Sequence, residues 1–209
     1  MSLLHLKQNE IESLTEEVIN DFKISAKTAI GRTKVSAPLQ IIINKGLFGN
    51  SGSGSVLHYG KGRTTLDSQV IKDLGLNVVD YDFVYCPKPE VLGRNYDFVV
   101  SLYVVNTLPR VARTHVYQQL AEVCSKGVVF IAARSDVIKG VIEDDGLRTS
   151  KNTFQKSYSK KNQELLKEAQ QFFRFVEEIK GKPGMSIIRC SNYINFKGNN
   201  VEPINQCLF

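Results

Sequence analysis

Tryptophan is absent from the 209 residues, methionine occurs twice, cysteine four times and proline six times. No two of Cys86, Cys124, Cys190 and Cys207 have the C-x-x-C spacing of a zinc site or a redox couple. Thiols this far apart, in a chain long enough to build a core without covalent staples, suit a reducing compartment, so a cytoplasmic location is expected. No apolar run approaches the roughly 20 residues that span a bilayer, and Met1–Leu6 is too short for the apolar core of a signal peptide, so no membrane partner is expected. Internal repeats are lacking, and the one low-complexity stretch is the short Gly/Ser connector at 49–55.

What is present is ordinary for a globular domain: 42% hydrophobic and 23% charged residues, in a length that favours one unit over two. Lys and Arg outnumber Asp and Glu by 27 to 21, a net charge of +6. The excess favours polyanions such as nucleic acid, although the cations are dispersed along the chain.

Periodicity divides the chain into an N-terminal helical extension, 1–48, and an α/β unit, 55–200. Residues 10–24 place Ile11, Leu14, Val18, Ile19 and Phe22 at helical spacing. Pro38 opens a second helix that Gly46 ends. Strands are expected at Ser55–Tyr59, Leu76–Val79, Tyr96–Leu102 and Gly127–Ala133, and a late strand or hairpin between Gly184 and Phe196. Helices are expected at Thr65–Leu74, Arg113–Cys124 and, as one long element, Lys161–Lys180. Alternating strands and helices predict a Rossmann-like, doubly wound, mostly parallel sheet.

One βαβ unit carries a ligand signature. Gly60-Lys-Gly62 follows a strand directly and precedes a helix, and Asp82 stands twenty residues beyond Gly62 at the next strand end. Glycines there let a ligand approach the backbone, and an acid there can accept hydrogen bonds from a ribose diol. A dinucleotide would want a third glycine where Thr65 stands, which disfavours NAD and FAD. S-adenosylmethionine has no pyrophosphate and tolerates the threonine. His58, Tyr59, Gly60, Gly62, Asp82 and Ser101 are therefore the expected cofactor residues.

Thr28-Ala-Ile-Gly-Arg-Thr-Lys-Val-Ser-Ala-Pro-Leu39, the run Val56-Leu-His-Tyr-Gly-Lys-Gly-Arg63, Tyr81–Pro87, Tyr96–Asn106, Val128–Arg134, Asp145-Gly146 and Thr153-Phe-Gln-Lys156 occur in that order. This order resembles the methyltransferases associated with bacterial DNA phosphorothioation systems and their phage-borne relatives, over roughly residues 27 to 160. The resemblance implies a class I fold, S-adenosylmethionine binding, and a partner in a defence or counter-defence system. The family carries an Asp two residues before the first glycine of the turn, where this chain has His58. A protonated imidazole would repel the positively charged cofactor, and restoring the acid at position 58 is expected to raise affinity.

Amino-methyltransferases of DNA carry [D/N/S]-P-P-[Y/F] after the fourth strand. The corresponding run here, Tyr103-Val-Val-Asn-Thr-Leu-Pro109, holds Asn106 and Pro109 at a different spacing. Asn106 and Tyr103 are the expected acceptor-side residues, past a strand end where ligands gather in open α/β sheets. Arg32, Lys34 and Arg63 near the turn, and Lys156 among aromatics, are the expected phosphate contacts, with DNA the favoured partner. A competing reading is a cofactor-degenerate binding module or antirestriction protein with the same fold.

Overall fold

The computed structural model describes residues 14–49 and 53–196. Ile11, Cys207 and the centre of the Gly/Ser connector lie outside them. Two helices lead: α1, Glu16–Ala26, capped by the Thr15 hydroxyl accepting from Val18 N–H, and α2, Ala37–Asn44, with Pro38 in its first turn. The α/β unit then runs β1 (Ser55–Tyr59), α3 (Leu66–Asp73), β2 (Asn77–Tyr81), β3 (Phe98–Leu102), a 3₁₀ turn at Val105–Thr107, α4 (Arg110–Glu122) and β4 (Val128–Arg134). A small arm follows, formed by β5 (Val141–Glu143), β6 (Gly146–Arg148) and β7 (Phe154–Gln155). The chain closes with α5 (Glu164–Ala169), β8 (Phe175–Ile179) and β9 (Met185–Ser191).

The main sheet has the order β2-β1-β3-β4-β9-β8, and the arm is a separate three-stranded sheet, β5-β6-β7. Strands β2, β1, β3 and β4 are parallel, whereas β9 and β8 add antiparallel. This is the doubly wound, mostly parallel architecture expected. β3 is buried along its whole length, as a strand covered on both faces must be. One face packs Leu57, Val99, Val129 and Ile131 against Val18 and Phe22 of α1, Val116 and Leu120 of α4, and Leu165 of α5. The other packs Val56, Phe98, Val100 and Phe130 against Leu39 and Ile42 of α2 and Ile71 of α3. The two leading helices therefore sit on opposite faces of the sheet, and the segment joining them must cross its edge.

One expected element is replaced. The long helix over 161–180 stops at Ala169, and Phe175–Ile179 forms the edge strand β8. Its partner β9 presents Arg189 to Glu177, with Nε 2.5 Å from the carboxylate, and Ile187 to Ile179. A cross-strand pairing outweighed a helical period that runs on in the sequence.

Candidate active site

The C-terminal ends of β1, β2, β3 and β4 open into a cleft of about 780 Å³. It is lined by the glycine turn, Asp67, Tyr81–Phe83, Leu102–Val104, Asn106, Arg134, Asp136 and Gln155. The segment between α1 and α2 forms the remaining wall, and side chains tie it down. Tyr85 donates to Ala26 O (2.9 Å) and accepts from Arg63 Nε (2.9 Å). Ser36 N–H donates to Asp67 Oδ1 (2.8 Å), and Arg32 reaches Asp67 Oδ2 at 3.6 Å while lying 5.6 Å above the Tyr103 ring.

The turn after β1 is pinned to β2, because Gly60 N–H and Lys61 N–H both donate to Tyr81 O (2.8 and 3.2 Å). Gly60 and Gly62 have φ of 71° and 67°, the left-handed region that glycine enters without a Cβ penalty. A Cβ on Gly60 would meet the Val104 side chain at 2.3 Å, so the bareness of this residue makes room for the protein's own valine. Asp82 closes the turn: Oδ2 accepts from Gly62 N–H (2.8 Å), and Oδ1 from the N–H groups of Val84 and Tyr85 (3.0 and 2.9 Å). A carboxylate offers about four lone-pair sites. Three are filled by backbone, which leaves one for a ligand hydroxyl rather than the two a ribose diol would use.

His58 is buried on β1 and lines the cleft. Ser68 Oγ donates to Asp80 Oδ1 (2.5 Å) and lies 2.8 Å from His58 Nδ1, so Nδ1 must be the donor in that contact. With the ring neutral, Nε2 is left as an acceptor. Burial works to raise the Asp80 carboxyl, but the hydrogen bonds from His58 and Ser68 outweigh it and hold it below the ordinary value.

Past β3, Tyr103 has φ 63°, a left-handed backbone for a bulky residue, and its N–H donates to Ala132 O (2.7 Å). Asn106 follows in the 3₁₀ turn, 2% exposed. Its Nδ2 donates to Gln155 Oε1 (3.4 Å), and its Oδ1 is buried without a donor. Such an orphan acceptor costs roughly 1–3 kcal/mol.

Several expected ligand residues have internal work. Tyr59 donates to Gln119 Oε1 on α4 (2.6 Å), and its ring packs 5.1 Å from Tyr81. Burial pushes the Tyr59 phenol well up, and burial with the Asp82 charge pushes Tyr81 up to about 12. Ser101 is fully buried in mid-sheet beside Tyr59 and Ile131, away from the cleft lining, with an unpaired Oγ. Lys156 lies 2.5 Å from Asp145 and 3.7 Å from Glu168, with Nζ 5.1 Å from the Tyr158 ring centroid. A lysine neutralised in this way is not free for phosphate. Arg32 is likewise spent on Asp67 and Tyr103. Lys34 remains exposed at the cleft wall, and Arg63 is exposed beside Tyr85. Sequence reasoning gave no site role to Asp67, Arg134, Asp136 and Gln155, although Arg134 and Gln155 lie in runs that carry the resemblance; Asp67 meets Ser36 and Arg32, and Gln155 meets Arg134 and Asn106, through pairings distant in sequence.

No protein-family model and no curated protein matches the chain. Likeness appears among solved structures. DhpI in its SAH complex aligns at 13% identity over 85% of this chain and 98% of that one, with a TM-score of 0.50. The PH0226 protein of Pyrococcus horikoshii OT3 aligns at 10% identity over 73% and 88%, with 0.51. A Rhodobacter sphaeroides protein assigned to the Zn-dependent alcohol dehydrogenases aligns at 11% over 85% and 99%, with 0.55. At such identities what is shared is the fold, a Rossmann-like, mostly parallel α/β architecture.

Proposed function

We propose that this protein is an S-adenosylmethionine-dependent methyltransferase acting on nucleic acid, with DNA the favoured target, in a modification or defence setting. One observation carries the reading: a glycine turn clasped by an acid at the end of the next strand opens onto a roomy cleft whose far wall presents an unpaired acceptor, Asn106 Oδ1. The residues fit the cofactor. Asp82 keeps one lone pair for a ribose hydroxyl, and His58 keeps Nε2 for the methionine ammonium, in the place where the family resembled carries an acid. The Gly60–Gly62 turn supplies backbone. The volume lies within the roughly 300–1,000 Å³ of small-molecule sites. DhpI, similar in fold, is crystallised with SAH.

When bound, S-adenosylmethionine supplies an electrophilic methyl group on a sulfonium. The chain's own contribution is to hold the acceptor in line and exclude water, which is catalysis by proximity and orientation. Tyr103 and Asn106 flank the acceptor side. Lys34 and Arg63 at the mouth supply cations for phosphates, now without Lys156 and with Arg32 committed to the wall.

Calorimetry tests the first part: S-adenosylmethionine is expected to bind in the micromolar range, and no heat at millimolar cofactor would leave a binding module with this fold. Release of S-adenosylhomocysteine is expected with DNA present and not without it. Equal release with RNA, or with no nucleic acid, overturns the DNA assignment.

A further inference from the structure

We infer that the edge strand of the arm, β5, is a docking surface for a second copy of this chain, paired antiparallel about Val141 so that the two arms form one continuous sheet. The inference stands apart from the methyltransferase reading, because β5 lies outside the cleft lining.

The most exposed large apolar side chains among the described residues are Val137 (91%), Ile142 (83%) and Val141 (74%), all in one short stretch. Val141 and Ile142 belong to β5, whose strand partner among the described residues is β6 alone. Alternation fixes which backbone groups the free edge offers. Thr149 N–H donates to Thr153 O (2.9 Å), so the backbone of Thr149, and of Leu147 two positions earlier, faces β7. Arg148 and Gly146 then face β5, where they meet Val141 and Glu143. Ile142 stands between these two, so its N–H and C=O turn to the open side, and Gly140 has the same phase. An unpaired edge carrying exposed β-branched residues is a template for another strand.

Charge and register commit this edge to its own copy. A two-fold axis lets one strand serve both sides of an antiparallel pair. Residues of outward phase must pair with one another. Pairing about Val141 sets Val141 against its counterpart, Ile142 across from Gly140, and Lys139 directly opposite Glu143 of the second copy. Pairing about Ile142 would put Val141 against the Glu143 carboxylate, and pairing about Gly140 would put it against the Lys139 ammonium. Lys139 is exposed and makes no ion pair among the described residues. Glu143 stands where acidic charge is in surplus. Burial raises the Asp21 carboxyl on α1, the Glu17 and Glu143 charges raise it further, and Arg148, which pairs with Glu143, opposes them. A lysine from a second copy reduces that surplus. Nucleic acid suits the arm poorly, since its tip, Glu143-Asp144-Asp145, meets phosphates with like charge.

Sedimentation velocity on the full chain tests the pairing. A contact centred on one short strand belongs at the small end of protein interfaces, so a dimer dissociating at about 10–100 μM is expected. Val141→Lys sets two ammonium groups face to face on the axis and should leave a monomer. Ile142→Pro removes an outward N–H that β6 does not use, and should do the same with little change in thermal midpoint. Lys139→Glu and Glu143→Lys each oppose like charges and should be monomeric alone. Mixed together they should dimerise, because both cross-strand pairs are then of opposite sign. A wild type monomeric well above that range, a dimer that survives both Val141→Lys and Ile142→Pro, or a mixture no more associated than its components overturns the inference. Weaker binding of duplex DNA by Ile142→Pro, in a chain monomeric at every concentration, would overturn it in favour of a nucleic-acid contact.

Discussion

The cluster around Arg113 and the chain through His58 both join segments distant in sequence, and they do so by different chemistry. Arg113, its side chain 3% exposed, bonds Asp145 of the arm, Glu168 of α5 (2.7 Å) and Leu108 O (2.8 Å), while Lys156 reaches the same two acids. Tyr158 adds a hydrogen bond to Glu168 (2.8 Å). Arg113 and Lys156 meet two anions, with the exposed Arg110 4.0 Å from Asp145 at the margin, and this cluster fastens the arm, α4 and α5 together. At the cleft, one carboxylate, Asp80, is answered by a hydroxyl and an imidazole, and another, Asp82, by backbone N–H groups. The ion cluster spends both of its cations internally. The cleft keeps Asp82 with a lone pair, His58 with a ring nitrogen and Asn106 with an oxygen. The cluster leaves Asp145 Oδ1 buried without a partner away from the cleft lining, whereas the groups left for a ligand line the cleft, where neutral donors do the fastening.

Unbalancing the ion cluster should give the largest effect. Arg113→Met leaves Asp145 and Glu168 facing Lys156, with only the exposed Arg110 4.0 Å from Asp145 besides, and breaking a buried pair in this way costs about 3–5 kcal/mol. The thermal midpoint should fall by about 10 °C or more, read by calorimetric scanning. A variant within about 2 °C of wild type would mean that the cluster is ornamental, and the contrast with the cleft would fail.

At the turn, Gly60→Ala should cost about 2–3 kcal/mol. The new Cβ meets Val104, a β-branched side chain with little freedom to yield, and φ stays at 71°. Adding Val104→Ala should recover the steric part and leave the backbone part. If the double variant is no more stable than the single one, Val104 is not what fills the space at Gly60.

A smaller effect separates the two clusters by pH. Burial works to raise the Asp145 carboxyl, yet Lys156 and Arg113 hold it below its ordinary value. A carboxyl lowered on folding contributes stability above its unfolded pKa, near 4, and that contribution is lost as pH falls through the folded value. Asp145→Asn should therefore flatten the acid limb of the stability curve below about pH 4. An unchanged limb would remove Asp145 from the groups that drive acid unfolding.

Local signals made much of this legible in sequence. Ser55–Tyr59, the glycine turn and the helix before Gly75 form one βαβ unit whose contacts are near in the chain, and they fall as periodicity and turn chemistry place them. The departures come from pairings far apart in sequence. Phe175–Ile179 continues a helical period on paper, but β9 captures it as a strand. The arm announces itself only through Asp145-Gly146, a hairpin signal flanked by strands too short to show alternation. Lys156 reads as a phosphate ligand among aromatics until Asp145 and Glu168 arrive from elsewhere. His58 is read from sequence as a missing acid whose return would raise affinity. In the fold the acid is one strand over: Asp80 Oδ1 stands 3.6 Å from Nδ1, and an aspartate at 58 would set two carboxylates side by side.

The smallest effect is the sharpest for the cleft. Ser68→Ala removes the hydroxyl between His58 and Asp80 and should cost about 1 kcal/mol of stability, as one hydrogen bond does. Its larger consequence should be on cofactor binding, because only the 3.6 Å approach of Asp80 Oδ1 to Nδ1 is then left to fix which ring nitrogen of His58 bears the proton. A ring that rotates or changes tautomer presents N–H where the methionine ammonium needs an acceptor. Calorimetry should show S-adenosylmethionine binding weakened several-fold while the fold persists, with Ser68→Thr restoring both. If Ser68→Ala loses stability but keeps its cofactor affinity, the chain through His58 is a fastening like the Arg113 cluster. The division between polar groups that fasten the fold and those that serve the cleft would then have to be redrawn with Asp82 and Asn106 alone on the cleft's side.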